Sequence, residues 1–214
     1  MDNGDTTDDN IIPNNAKSIS SNKTSNLINK KKIEGLIRQI LIELGENPDR
    51  EGLIDTPRRM ASMYEEIFGG YKMDSELEVS FSEETDTIIA KDIQFYSMCE
   101  HHMLPFYGKV HIAYIPNGKV FGISKLVRLV EKYSKRMQIQ ERLTKEIADE
   151  MMKMDVKGVI VIAEGEHLCM KMRGVRNDST MVTITHRGIL EKKEMKESIL
   201  ALIYDRHYGN MRHL

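Results

Sequence analysis

The sequence predicts an α+β protein, in which a helical N-terminal segment leads into an antiparallel sheet packed against helices. Three observations carry that expectation. Apolar residues between Ile33 and Phe68 recur at helical spacing, and Lys109 to Pro116 alternates in the manner of a strand. Beyond that point the elements read strand, strand, helix, helix, strand, strand, an order that suits an antiparallel sheet better than a parallel one.

Residues 1–28 are rich in Asn, Asp, Ser and Thr and have no aromatic side chain. They bury too little apolar surface to offset the entropy of ordering, so a polar disordered tail is expected. Residues 29–74 form the helical segment. Ile33, Leu36, Ile37, Ile40, Leu41 and Leu44 line one helix face, and Gly45 stops it. A second helix is expected from Thr56, whose hydroxyl can cap it, with Pro57 at the first helical position. Its stripe of Met60, Met63, Tyr64, Ile67 and Phe68 ends at Gly69-Gly70.

Residues 75–214 form the remaining domain. After the strand ending at Pro116, Asn117-Gly118 marks a turn into Val120-Phe121. A helix begins near Ser124 and buries Leu126, Leu129, Val130, Tyr133 and Met137. A second runs through Ile139, Leu143, Ile147 and Met151. Strands follow at Val156 to Ala163, His167 to Val175 and Met181 to Thr185, before a last helix from about Lys193 to Tyr204.

Composition narrows the function. Hydrophobic residues make up 40% and charged residues 30%, values of a globular chain, and no apolar run is long enough to span a bilayer. The start of the chain lacks the basic and apolar regions of a secretory signal, so a cytoplasmic location is the default. A net charge of -2 offers no field for nucleic acid. Two cysteines in a cytosolic chain point to metal binding or inert burial rather than a disulfide. Fifteen methionines read as flexible core filler.

Four segments carry chemistry. In Ser97-Met98-Cys99-Glu100-His101-His102, Cys99 and His102 stand three apart, which lets one turn offer a thiolate and an imidazole to a single ion. In His167-Leu168-Cys169-Met170-Lys171-Met172-Arg173, alternation read as a strand puts His167, Cys169, Lys171 and Arg173 on one face. Cys99, His102 and Cys169 together make a Cys₂His set with a fourth position open, as in a catalytic zinc site, and thiolates select zinc over magnesium or calcium. Zinc lowers the pKa of water toward about 7, and His101 and His167 are candidates for proton transfer beside it. A third segment, Gly122-Ile123-Ser124-Lys125-Leu126-Val127-Arg128, opens a helix with two cations in its first turns, an arrangement suited to a polyphosphate. The fourth, Gln138-Ile139-Gln140-Glu141-Arg142, reads by itself as an ordinary helix start, although a carboxylate there can accept from the amino and ring N–H groups of guanine.

Taken together, these segments resemble the type I GTP cyclohydrolases. The run from Cys99 to Phe106, followed by Gly108 to Pro116, carries the resemblance with Gly122-Ile123-Ser124-Lys125-Leu126, Gln138 to Thr144 and His167 to Gly174. It covers roughly residues 30 to 205, with the motifs in the family's order. The resemblance implies a tunnelling fold: an antiparallel four-stranded sheet with two helices on one side. It also implies rings of five subunits stacked as a homodecamer, with active sites between subunits. By matching position, zinc would be held by Cys99, His102 and Cys169, and guanine by Gln140 and Glu141. The triphosphate would be held by Ser124, Lys125, Arg128, Arg173 and Arg59. The implied reaction opens the imidazole ring of GTP hydrolytically, with His101 or His167 protonating a departing nitrogen and formate released. An Amadori rearrangement and reclosure then give 7,8-dihydroneopterin triphosphate, the first step of tetrahydrofolate and pterin synthesis, with no redox cofactor.

Position 62 is serine where some members carry a lysine near the phosphates, and Thr183 to Gly188 follows the family only loosely. Two rival readings are weaker. A nitrile reductase of the same fold lacks the Cys-Glu-His-His run, and a zinc-stabilised binding protein has no use for two histidines beside a complete ligand set. A zinc deaminase is excluded because its His-x-Glu and Pro-Cys-x-x-Cys signature is absent.

Overall fold

The structure is a computed structural model that describes residues 28–73, 80–83 and 85–204. The expected polar tail and the chain end beyond Tyr204 lie outside those residues.

Helix α1 (Lys30–Glu43) starts at Asn29, whose side chain accepts from the Lys32 amide at 3.0 Å, and Gly45 closes it with φ +80°. A glycine suits that left-handed position because it carries no Cβ. Helix α2 (Thr56–Ile67) begins one residue earlier than expected. Asp55 takes the cap position, without a side-chain cap bond, and Thr56 is the first helical residue. The Asp55 carboxylate turns instead to Arg58 and Arg59, at 3.4 and 3.2 Å.

The main sheet has five strands in the order β5-β2-β3-β6-β7: β2 (Ile88–Cys99), β3 (Pro105–Pro116), β5 (Met137–Gln138), β6 (Val156–His167) and β7 (Met181–Gly188). The four long strands pair antiparallel, and the two-residue β5 adds a short parallel pairing to Met98 and Cys99. Strand β4 (Lys119–Phe121) pairs with β1 (Ser80–Ser82) in a separate ribbon.

Two corrections concern strands. Strand β2 carries no regular alternation at its start, because a bulge between Ala90 and Ile93 puts Asp92 at φ +60°. The expected strand from His167 to Val175 does not exist. Strand β6 runs on past Ala163 to His167, and the chain then coils into one helical turn, α5 (Leu168–Lys171). Its glycine, Gly165, pairs with Gly108 of β3 instead of making a turn.

Both faces of the sheet are covered. Helices α3 (Ile123–Ser134) and α4 (Gln140–Lys153) lay Leu126, Leu129, Val130, Leu143, Ile147 and Met151 against Val110, Ile112, Val159 and Val161. Each such fully buried side chain contributes about 2 kcal/mol. On the opposite face Ala113, Ile160 and Ile162 pack with Ile199 and Ile203 of α6 (Lys193–Tyr204). Burial on both faces explains why Val159 to Ala163 reads as a continuous apolar run rather than an alternating one.

Candidate active site

The site forms where β2 ends, β3 begins and β6 passes into α5. The hairpin from Cys99 to Leu104 is closed by the Cys99 amide donating to Leu104 O and the Met103 amide to Cys99 O, both at 2.9 Å. Met103 takes φ +51° to complete the tight turn. That turn leaves the Cys99 thiol buried and puts His101 and His102 at the surface. The Glu100 amide donates to Gln138 O at 3.1 Å, which ties the hairpin to the residues before α4.

Cys169 arrives from α5. Its thiol and the ligand atoms of Cys99 and His102 all lie within 4.8 Å of one another. Cys99 Sγ is 3.9 Å from His102 Nδ1 and equally far from His101 Nδ1. In a tetrahedral zinc site, bonds of about 2.3 Å to sulfur and 2.05 Å to nitrogen give a sulfur–nitrogen edge of roughly 3.6 Å. The donor set therefore fits a soft divalent cation with little movement. The charge environment agrees: burial and the neighbouring Cys99 thiol push the Cys169 thiol up, a penalty that a bound cation reverses. His101 stands beside the set with Nε2 4.0 Å from a Glu100 oxygen.

The strand reading of 167–173 had placed His167 and Cys169 on one face by alternation. Instead, His167 ends the strand and Cys169 is the second residue of a helical turn. The Cys169 thiol turns to Cys99 and His102, while the His167 ring meets Gln140 and Phe106. Lys171 points elsewhere: it pairs with Glu166 at 2.7 Å and Asp178 at 3.3 Å, while Tyr107 donates to the same Glu166 at 3.1 Å. This network, unread in the sequence, anchors the segment that carries Cys169.

His167 stacks on Phe106 with ring centroids 4.7 Å apart and planes 5° from parallel. Burial holds its pKa below the usual histidine value, and the charge of Glu141 opposes that shift. Its Nε2 lies 2.9 Å from Oε1 of Gln140, the first residue of α4. Gln140 is 1% exposed, whereas Glu141 beside it is at the surface in the first turn of α4, where the helix dipole favours a carboxylate.

The structure thus brings together Cys99, His101, His102 and Cys169, with Arg173 close enough for its charge to act on Cys169, and, two residues before Cys169, groups His167 with Gln140 and Glu141. Ser124, Lys125 and Arg128 occupy the start of α3, and Arg59 in α2 pairs with Asp55. Among the described residues, none of these four makes a hydrogen bond or ion pair to the cluster. Arg142 was missed by sequence reading. It binds both oxygens of Glu100, and its sole signal was its place directly after Gln140-Glu141.

The GTP cyclohydrolase I family matches residues 33–204. A GTP cyclohydrolase 1 of Clostridium perfringens is 55% identical over 183 residues, covering 83% of this chain and 99% of that one. That of Hyperthermus butylicus is 52% identical over 178 residues, covering 82% and 92%. That of Carboxydothermus hydrogenoformans is 55% identical over 169 residues, covering 76% and 88%. The chain belongs to the GTP cyclohydrolase I family, and its sheet with α3 and α4 on one side is that family's tunnelling fold.

Proposed function

We infer that this chain hydrolyses and rearranges GTP to formate and 7,8-dihydroneopterin triphosphate. The observation that carries the reading is the meeting of Cys99, His102 and Cys169 at one point, with His101 3.9 Å from Cys99, in a chain 55% and 52% identical to the GTP cyclohydrolases 1 of Clostridium perfringens and Hyperthermus butylicus.

Cys99, His102 and Cys169 would hold zinc, which the two thiolates select. Bound there, the metal supplies a Lewis acid that activates water at neutral pH. Glu141 accepts from the ring N–H and 2-amino groups of guanine, since its carboxylate is exposed and unpaired with any described cation. Of the two residues expected to hold guanine, Gln140 is buried with its amide engaged, so the contact falls to Glu141. His101 and His167 exchange protons with the ring nitrogens as the imidazole opens.

Ser124, Lys125, Arg128, Arg173 and Arg59 hold the triphosphate. Arg128, Arg173 and Arg59 are exposed, and α3 opens with free amide groups and a positive dipole end. A site shared between subunits accounts for the lack, among the described residues, of any hydrogen bond or ion pair from Ser124, Lys125, Arg128 or Arg59 to the metal cluster. Assembly is supported by β7, a sheet-edge strand whose Val182 and Ile184 are 50% and 46% exposed, since such an edge calls for a partner. A decamer of two five-membered rings in the cytoplasm belongs to the same reading. No described helix is long and apolar enough to cross a membrane.

The test is to incubate zinc-loaded protein with GTP and assay formate together with the fluorescent oxidised pterin. Equal amounts of both establish the reaction. Formate alone means that ring opening stalls before reclosure, and neither product from assembled, metal-loaded protein refutes the catalytic reading.

A further inference from the structure

The carboxamide of Gln140 has one orientation that its surroundings allow. Its Nε2 lies 2.9 Å from both Ala163 O and Met181 O, with Thr183 Oγ1 at 3.3 Å. Backbone carbonyls only accept, so the atom between them is the NH₂ group, and its two hydrogens are spent there. The other atom is the carbonyl oxygen, 2.9 Å from His167 Nε2. A carbonyl oxygen also only accepts, so His167 Nε2 carries a hydrogen whether the ring is neutral or charged. His167 Nδ1 makes no hydrogen bond to a described residue and is not among the buried unsatisfied atoms, which leaves it open.

The fold makes room for this contact. Gly165 lies beneath the carboxamide, and a Cβ there would collide with Gln140 Oε1. Phe106 stacks on the imidazole and fixes its plane.

We propose that Gln140 is a positioning residue that holds His167 as the Nε2–H form, so that Nδ1 is the atom through which His167 passes its proton, and that Gln140 is not a guanine contact. The proposal rests on the reading of His167 as a proton-transfer residue. The charged ring gives its Nδ1 hydrogen to the departing nitrogen and keeps the electron pair on Nδ1. It is left neutral, with Nε2–H still on Gln140 Oε1, so no ring flip or change of tautomer separates successive steps.

The first measurement is ring ¹⁵N NMR on zinc-loaded, histidine-labelled full-length protein, with His167→Gln to assign the signals. The expected result is a hydrogen on Nε2 of neutral His167. A hydrogen on Nδ1 overturns the proposal, and neither result depends on turnover. The second is steady-state kinetics of Gln140→Leu and Gly165→Ala, with zinc content and assembly size as controls. Loss of the anchor lowers kcat by roughly 10- to 100-fold, the order of loss when a hydrogen-bond partner that orients a metal ligand is removed, with KM for GTP changed by less than about threefold. A tenfold or greater rise in KM at constant kcat would identify Gln140 as a guanine contact and end the proposal, as would no change in either parameter. A wild-type protein that turns over no GTP counts against the functional reading alone, because the ring-nitrogen assignment still decides where the proton sits.

Discussion

Arg142 grips Glu100 with both branches of its guanidinium, Nη1 to Oε2 at 2.5 Å and Nη2 to Oε1 at 3.0 Å. The pair joins the first turn of α4 to the hairpin between Cys99 and His102. Arg142 holds the Glu100 carboxyl below its usual range, which keeps the carboxylate charged at neutral pH. Consecutive residues of α4 therefore have separate tasks: Gln140 meets His167, Glu141 faces outward, and Arg142 braces the ligand-bearing loop.

Arg142→Ala should leave the fold in place, because the pair is partly exposed and solvent screens it. Its effect should appear in metal retention. Removing a group that orients ligands weakens metal affinity by roughly 10- to 100-fold, which competition with a chelator would measure. Arg142→Lys should recover little, since an ammonium cannot make the two parallel bonds. Unchanged zinc affinity in both variants would show the clamp to be incidental.

Replacing a ligand itself should do more. Cys169→Ser should drop zinc occupancy and lower turnover by more than roughly 100-fold, beyond the upper end for losses in the surrounding shell. The Cys169 side chain is only partly buried, so melting in the absence of metal should hardly move. Elemental analysis beside a GTP assay checks this. A zinc-replete, active serine variant would remove Cys169 from the ligand set.

The contrast between Cys99 and Cys169 shows what the sequence made legible. Cys99 and His102 were readable as a pair because a three-residue spacing brings ligands together in any tight turn. The route by which Cys169 reaches Cys99 and His102 was not legible. Strict alternation from His167 to Arg173 mimicked a strand, yet the chain bends after His167 into a helical turn. Helices α3 and α4 were legible because each buries one stripe, whereas β2 was hidden by its bulge at Asp92. The bonds of Gln140 and Arg142 depend on where β6, β7 and the hairpin pass α4. No local pattern reports such long-range placement.

Glu141 offers a test of base recognition. A charged hydrogen bond contributes about 1.5–3 kcal/mol, so Glu141→Gln should lower kcat/KM for GTP by roughly 10- to 150-fold. Inosine triphosphate, which lacks the 2-amino group, supplies the control. Wild-type protein should discriminate against it strongly, and the variant should discriminate much less. Equal discrimination by both proteins would mean that another group reads the amino edge of guanine.

His111 makes stability depend on pH away from the active site. It is 4% exposed on the sheet face toward α6, with Nδ1 accepting from the Asp92 amide at 3.1 Å. Its Nε2 lies 3.8 Å from Glu164. Burial pushes its pKa below the ordinary 6.5; Glu164 and Asp92 oppose the shift, and Lys91 and Lys109 reinforce it. Protonating Nδ1 would also break the bond from Asp92. Below about pH 6.5 the unfolded chain therefore binds the proton more readily than the folded one, and stability falls as pH falls. His111→Leu removes the acceptor of the Asp92 amide's bond and should cost about 0.5–1.5 kcal/mol at pH 7.5, but less at pH 5.5, where the wild type bears its own penalty. Urea unfolding of both proteins at one fixed concentration would measure the difference. A cost that stays constant between the two pH values, or grows toward pH 5.5, would show that His111 does not titrate with folding.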